Sequence, residues 1–415
     1  MTRPTPPAPS SQTPGEGGTA AAPTVLILGA SRLQVPMIRR AREMGMRTIA
    51  VDLDPTAPGA ELADEFHVVS TNDIPGVVEL ARSKRVDGVT TVGTDMPVRS
   101  IAAAAEQLGL VGPSTRTARI CTDKAEMAQA FAEAGLPHPR FETVSSLEQA
   151  EQAVASIGLP CILKPLDSSG SRGVIQLDDA SGLPAAFDYA ASSSRSGQIL
   201  VEELLVGPEI SCEALAVDGH CHLLAITDKA TTGAPHFIET GHTQPAPLEA
   251  ATKQAVRDLV ARTLTAMGVT DGPAHVEIIL TATGPRLVEL GARMAGDFVS
   301  SHLVPLSTGV DFIGLVLAQA CGLAIEPPAP EPRAGAIRFL KARAGTLRAI
   351  SGVERARALP GVQEVIILAE PGQALTGLHS SLDRLGVIIA RGSDHDEAAR
   401  ICQAAHDLIT VEVQP

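Results

Sequence analysis

The chain has 415 residues, a net charge of −14, no Trp and one Tyr. A surface this acidic and this poor in stacking rings argues against nucleic acid as a partner, and no uninterrupted apolar run approaches a membrane span. The length exceeds one ordinary core and predicts several domains. The six cysteines are scattered with no Cys-x-x-Cys pair, which predicts buried thiols in a reducing compartment, not a disulfide or zinc framework.

Residues 1–23, rich in Pro, Ala, Gly, Ser and Thr and without a signal-peptide apolar core, read as a disordered tail on a cytoplasmic protein. From Thr24 to Ala30 a short apolar run ending in Gly predicts a buried parallel strand, and a helical pattern follows through Met37, Ile38, Ala41 and Met44. Strands at 48–53, 66–69 and 88–92, with a helix at 74–83, continue the alternation and predict a doubly wound sheet. Leu-Gly-Ala-Ser-Arg-Leu-Gln is a poor dinucleotide fingerprint, since only Gly29 of its three glycines is present, although Asp52 stands where a ribose acid would. Gly93 to Met96 falls just past a strand, where such folds form pockets.

Asp123 and Lys124 open an alanine-rich helix that Gly135-Leu136-Pro137 stops, so Lys124 sits at a helix start that could face an anion. Cys161 to Pro165 is an apolar strand carrying Lys164, a charge that is costly there unless paired. The loop behind it contains Ser168, Ser169, Gly170, Ser171 and Gly173, small residues whose backbone N–H groups can wrap phosphate oxygens. It is not the Gly-x4-Gly-Lys loop, because its lysine precedes the glycines. Gln198 to Glu203 is a strand ending in Glu202 and Glu203, followed by Leu204 and a turn into a second strand at Glu209. Residues 228–243, polar and rich in Gly, Pro and Thr, read as a long substrate lid containing Glu239 and His242. A helix over about 248–267 follows.

From His275 to Arg293 the pattern is a hairpin turning at Thr-Ala-Thr-Gly-Pro, which sets Glu277 opposite Glu289 on the face that Val276 and Val288 do not occupy. Like charges directly opposite in a sheet repel. Two carboxylates so placed ask for a cation, and magnesium completed by water and phosphate suits them.

In this order the features resemble the ATP-grasp superfamily: Lys124, then Lys164 before a glycine-rich loop, the segment Glu202-Glu203-Leu204 with Glu209, the acids Glu277 and Glu289, and Arg293. The resemblance spans residues 24–415 and implies an α/β fold of the α+β ATP-grasp kind. Its parts would be an N-terminal doubly wound parallel sheet (24–113), a central two-subdomain ATP-grasp domain (114–327, divided at 205/206) and a small C-terminal α+β domain (328–415). Within the superfamily the loop Glu239-x-Gly-His242, the ending Gly-Ala-Arg-Met-Ala-Gly and the segment after Pro332 look closest to L-amino-acid ligases. Strands near 336–341, 364–368 and 386–390 and a helix at 396–408 are expected in that last segment.

The resemblance implies ATP with one or two magnesium ions, or manganese, held by Lys124, Lys164, the loop N–H groups, Glu277 and Glu289. Glu202, Glu203 and Leu204 would meet adenine and Glu209 the ribose. Arg293 would hold the carboxylate and the acyl phosphate made from it, Glu239 the amino group of a bound amino acid, and His242 would orient it or transfer a proton. The implied reaction joins a carboxylate to an amine, both small molecules, with ATP converted to ADP and phosphate; a homodimer is the commonest arrangement. One departure is Gly291, where the family's Glu-x-Asn-x-Arg places a metal-binding Asn. Carboxylation through carboxyphosphate and a nucleotide-binding module without turnover are the competing readings.

Overall fold

The computed structural model describes residues 22–414; the tail read from the sequence lies, but for its last two residues, outside them. The first sheet is four-stranded and parallel, in the spatial order Glu65–Val68, Arg47–Asp52, Thr24–Leu28, Gly88–Thr90. Its central strand is apolar on both sides because both faces are covered. Val25 and Ile27 pack against Met37, Ile38 and Phe312, while Leu26 and Leu28 pack against Val77, Val78 and Ile101. Asp52, the acid a dinucleotide ribose would need, accepts the backbone N–H groups of Ala30 and Asp54 at 2.8 and 3.1 Å and so closes the turn after the first strand.

A second four-stranded sheet, antiparallel, runs Phe141–Val144, Ile199–Glu203, Cys161–Pro165, Ile175–Leu177, with helices Leu147–Ile157 and Leu183–Ser192 on one face. The third is the largest, eight strands in the order Gly284–Gly291, Gly272–Thr281, Glu209–Val217, His220–Thr231, Glu239–Gln244, Ala334–Leu340, Gly386–Gly392, Val362–Ile367. Helix Ala250–Met267 and helix Lys124–Glu133 cover part of it through Val256, Val260, Leu264, Met127 and Phe131. Asp123 caps the latter helix by accepting the N–H groups of Ala125 and Glu126, which fixes where Lys124 begins.

Two sequence expectations are corrected here. The expected lid over 228–243 is mostly strand: only residues 232–238 lie between His220–Thr231 and Glu239–Gln244. Its polar residues hide the strand because they find partners inside the protein. Gln244 is fully buried and donates to Thr227 Oγ1 at 2.8 Å while accepting from Ser307 Oγ at 2.6 Å. Gly241 is required by close packing, since a Cβ there would stand 2.5 Å from the carbonyl of Ile337.

The hairpin pairs Glu277 with Glu289 as expected, but the register slips between Glu277 and Ile278, which pairs with Leu287. Val288 is the extra residue of this bulge and lines the same cavity as Glu289, not the opposite face. The C-terminal segment carries the expected strands and helix His395–Asp407, and adds a small sheet of Ala374–Leu375, Gly345–Ser351 and Thr410–Gln414.

Candidate active site

A cavity separates the second sheet from the third, and most of the singled-out side chains line it. On the second-sheet wall Lys164 Nζ meets Glu202 Oε2 at 2.7 Å, with both side chains 8 % exposed. That pair answers the cost of a charge on an apolar strand. Glu203 also lines the cavity, but its carboxylate is taken by Arg286, which grips it with two bonds of 3.1 and 3.2 Å, and the Arg140 backbone N–H adds a third. These bonds, Arg286 foremost, hold the Glu203 carboxyl below its ordinary range despite partial burial. Leu204 and Leu205 continue the lining.

The loop Ser168–Arg172 arches over this wall, with Gly170 and Ser171 at φ 65° and 57° and Gly173 at 75°. Left-handed residues among right-handed ones curl a backbone into an anion-binding concavity. Gly173 does not line the cavity; it lets the loop pass Pro165 and Ser193, each 2.7 Å from where its Cβ would stand. The loop is tied at its start and at its middle: Lys124 Nζ donates to the Ser168 carbonyl at 2.9 Å, and Ser381 Oγ donates to the Gly170 carbonyl at 3.0 Å.

The facing wall is acidic. Glu209, Glu239, Glu277 and Glu289 all line it. Lys124 reaches Glu289 at 3.0 Å, and burial, which would discharge Lys124, is outweighed by Glu289 and Asp95, so its affinity for the proton rises. Glu277 takes Lys229 Nζ at 3.0 Å and His275 Nε2 at 3.2 Å. Burial opposes its charge, yet Lys229 and His275 hold it ionised well below the usual carboxylate range. The other nitrogen of His275 meets fully buried Glu213 at 2.7 Å. Burial disfavours the charged ring, but Glu213 and Glu277 raise its pKa to about 9.

Arg293 lies beside this pair, its Nε 2.7 Å from Asp95 Oδ1. Asp95 arrives there because Val92 bridges to Met294 and the Gly93 N–H donates to the Met294 carbonyl at 3.1 Å. Burial works against charge on both, but each keeps the other ionised, Arg293 upward and Asp95 downward. Gly291 is explained by the same pair: a Cβ there would stand 3.1 Å from both Asp95 Oδ1 and Arg293 Nε. The Asn of the superfamily pattern would press on this ion pair, whose side chains would have to give by a few tenths of an ångström.

His242 is not brought to the cavity. It is 4 % exposed, edge-on to Phe339 with ring centroids 5.7 Å apart, and its Nε2 is 3.6 Å from Asp297. Both it and Glu239 connect to Arg384, which bonds Asp297 at 2.6 Å, Glu239 Oε2 at 3.0 Å and the Glu239 carbonyl at 2.9 Å, its guanidinium lying over Phe339. A direct role for His242 in proton transfer is therefore replaced by a place behind the wall. Arg384 and Lys229 escape sequence reasoning altogether. Lys229 falls in the stretch read as lid, where nothing demands burial, and Arg384 is 145 residues from its partner Glu239.

Among the described residues no three His, Cys, Asp or Glu side chains converge tightly enough to hold a metal unaided. Magnesium does not require that, since it is usually bound by one or two carboxylates with phosphates and water. Glu277 and Glu289 fit it, because they pair across the hairpin and each already accepts a cation, an ammonium at 3.0 Å.

The L-amino acid ligase C-terminal domain 2 family matches residues 338–414, and the ATP-grasp domain family matches residues 157–301. The crystal structure of L-amino acid ligase from Bacillus licheniformis superposes with a TM-score of 0.85 at 24% identity, covering 96% of this chain and 100% of that one. The "uncharacterized protein y4rH" of Sinorhizobium fredii is 30% identical over 92% of this chain and 81% of its own length. A formate-dependent phosphoribosylglycinamide formyltransferase of Burkholderia vietnamiensis is 28% identical over 92% of this chain and 94% of its own. Fold and site thus define the class: the chain is an ATP-grasp protein. Within that class it carries the L-amino acid ligase C-terminal domain over residues 338–414.

Proposed function

We propose that this protein is an ATP-dependent ligase that joins an amino acid carboxylate to an amine, by preference another amino acid, through an acyl phosphate. The observation that carries the reading is the grouping on one cavity of Lys124, Lys164, Glu277, Glu289 and Arg293. Phosphoryl transfer asks a protein mainly to position reactants and neutralise charge. In this reading Lys124, Lys164 and the loop over Ser168–Arg172 hold the triphosphate, and the backbone at Glu203–Leu204 meets the adenine with Glu209 at the ribose. Glu277 and Glu289 hold magnesium, which when bound supplies the charge that draws electrons from the transferred phosphoryl group. Arg293, kept in place by Asp95, offers its free N–H groups to the substrate carboxylate and then to the acyl phosphate. Glu239 receives the substrate amine, and His242 and Arg384 hold the backing of that subsite.

The working divisions are 24–113, 114–327 (with lobes 114–205 and 206–327) and 328–415, in a cytoplasmic enzyme that pairs as a homodimer. Phosphate release from ATP and magnesium that requires two amino acids, with a dipeptide found by mass spectrometry, is the expected result. A second reading, favoured by the full-length formyltransferase relative, takes formate as the acid and phosphoribosylglycinamide as acceptor. Phosphate release that depends on formate and ignores amino acids would replace the first reading with the second, and none under either mixture would sink both.

A further inference from the structure

Lys229 is the buried charge that the reaction above does not use. It lies in the strand His220–Thr231 with its side chain 3 % exposed, behind the cavity wall and outside its lining. Its Nζ is 2.5 Å from Glu209, 3.0 Å from Glu277 and 3.7 Å from Glu239. An ammonium has three donors and no acceptor, so it can serve one carboxylate with each N–H. The three acids stand on three different strands. Glu277 and Glu239 have further cationic neighbours in His275 and Arg384, whereas Lys229 is the one cation within salt-bridge distance of Glu209 among the described residues.

We propose that Lys229 is the positioning residue of this site: its ammonium aims Glu209, Glu239 and Glu277 into the cavity and cancels enough of their charge that a divalent cation is admitted with the nucleotide and not alone. The inference rests on the ligase reading, which gives the three acids separate tasks at ribose, substrate amine and metal. Without the ammonium the acids repel one another, and two consequences follow. They splay, which weakens nucleotide and amine binding together. They also form a bare anionic cluster, which takes up a divalent cation by itself.

The test is a Mn2+ titration followed by electron paramagnetic resonance, with and without ADP, on wild type and Lys229→Met. Wild type is expected to bind Mn2+ tightly only with ADP. Lys229→Met is expected to bind Mn2+ alone roughly 10- to 100-fold more tightly than wild type, the range one unpaired neighbouring charge commands. Its KM values for ATP and for the amine should both rise. Glu209→Gln/Lys229→Met, which removes one charge of each sign, should return Mn2+-alone binding to near the wild-type level, an effect a purely structural lysine would not give. Should Lys229→Met fail to fold, Lys229→Arg decides: the charge is kept, so Mn2+ alone should still bind weakly, while the KM values for ATP and the amine rise because a planar guanidinium cannot hold the acids of three strands in the same places. If wild type binds no Mn2+ even with ADP, the ligase reading falls first. If wild type does, and the variants keep its Mn2+ affinities and KM values, only the role of Lys229 is overturned.

Discussion

Lys164 and Lys229 are both buried lysines on strands that flank one cavity, yet their surroundings differ in kind. Lys164 has a single partner, Glu202, at 2.7 Å, and the second-sheet wall is balanced there. Lys229 faces three carboxylates, and a fourth, Glu289, lies on the same wall with Lys124. One wall is thus a neutral clamp and the other keeps an excess of negative charge that invites a divalent cation. The contrast teaches that the number of acids around a buried lysine sets the charge left over: with one acid Lys164 makes a neutral pair, and with three acids Lys229 leaves a surplus of negative charge.

Substitutions on the two walls should therefore fail differently. The largest effect is expected on the acidic side, where Arg293→Lys loses both the bidentate geometry and the bond to Asp95. We expect kcat to fall roughly a thousandfold with KM for ATP little changed, and an equal loss in both parameters would place Arg293 in nucleotide binding instead. His275→Gln removes one of the two charged partners of Glu277, Lys229 being the other, and by the same electrostatics should tighten Mn2+ binding in the absence of nucleotide about tenfold, read by the same titration. On the balanced wall, Lys164→Met leaves Glu202 buried without a cation. It should cost about 3–5 kcal/mol in denaturant unfolding and raise the KM for ATP, with the metal dependence of the rate unchanged. A metal dependence that moved with Lys164 would erase the distinction between the walls. Smallest, Gly291→Asn should lower kcat about tenfold by crowding Arg293 and Asp95; a rise would mean that the side chain had displaced them and become useful.

Much of this is legible in the amino-acid sequence. Alternation of apolar residues placed Glu277 opposite Glu289, and the apolar strand around Lys164 demanded a partner that Glu202 provides. The bulge at Val288 was not legible, because Val has no preference that distinguishes a paired residue from an extra one. Nor was the strand Glu239–Gln244, whose Thr, His and Gln are buried by hydrogen bonds and ring contacts instead of by their own hydrophobicity. Missing that strand also hid the reason for burying Lys229, one strand away. Asp95 could be placed beside a pocket by its position after a strand, but its pairing with Arg293 spans 198 residues and depends on how two sheets meet.

The strand Glu239–Gln244 has one further consequence. It is hydrogen-bonded on one side to His220–Thr231 and on the other to Ala334–Leu340, so the ladder passes without a break from the strands beside the cavity into the C-terminal segment. Cutting the chain after residue 327 would strip the second neighbour and leave Gly241 to Gln244 with an open row of backbone donors and acceptors. Such a fragment would offer that rim to other chains, and what looks like a removable appendage is the part that closes this edge of the sheet.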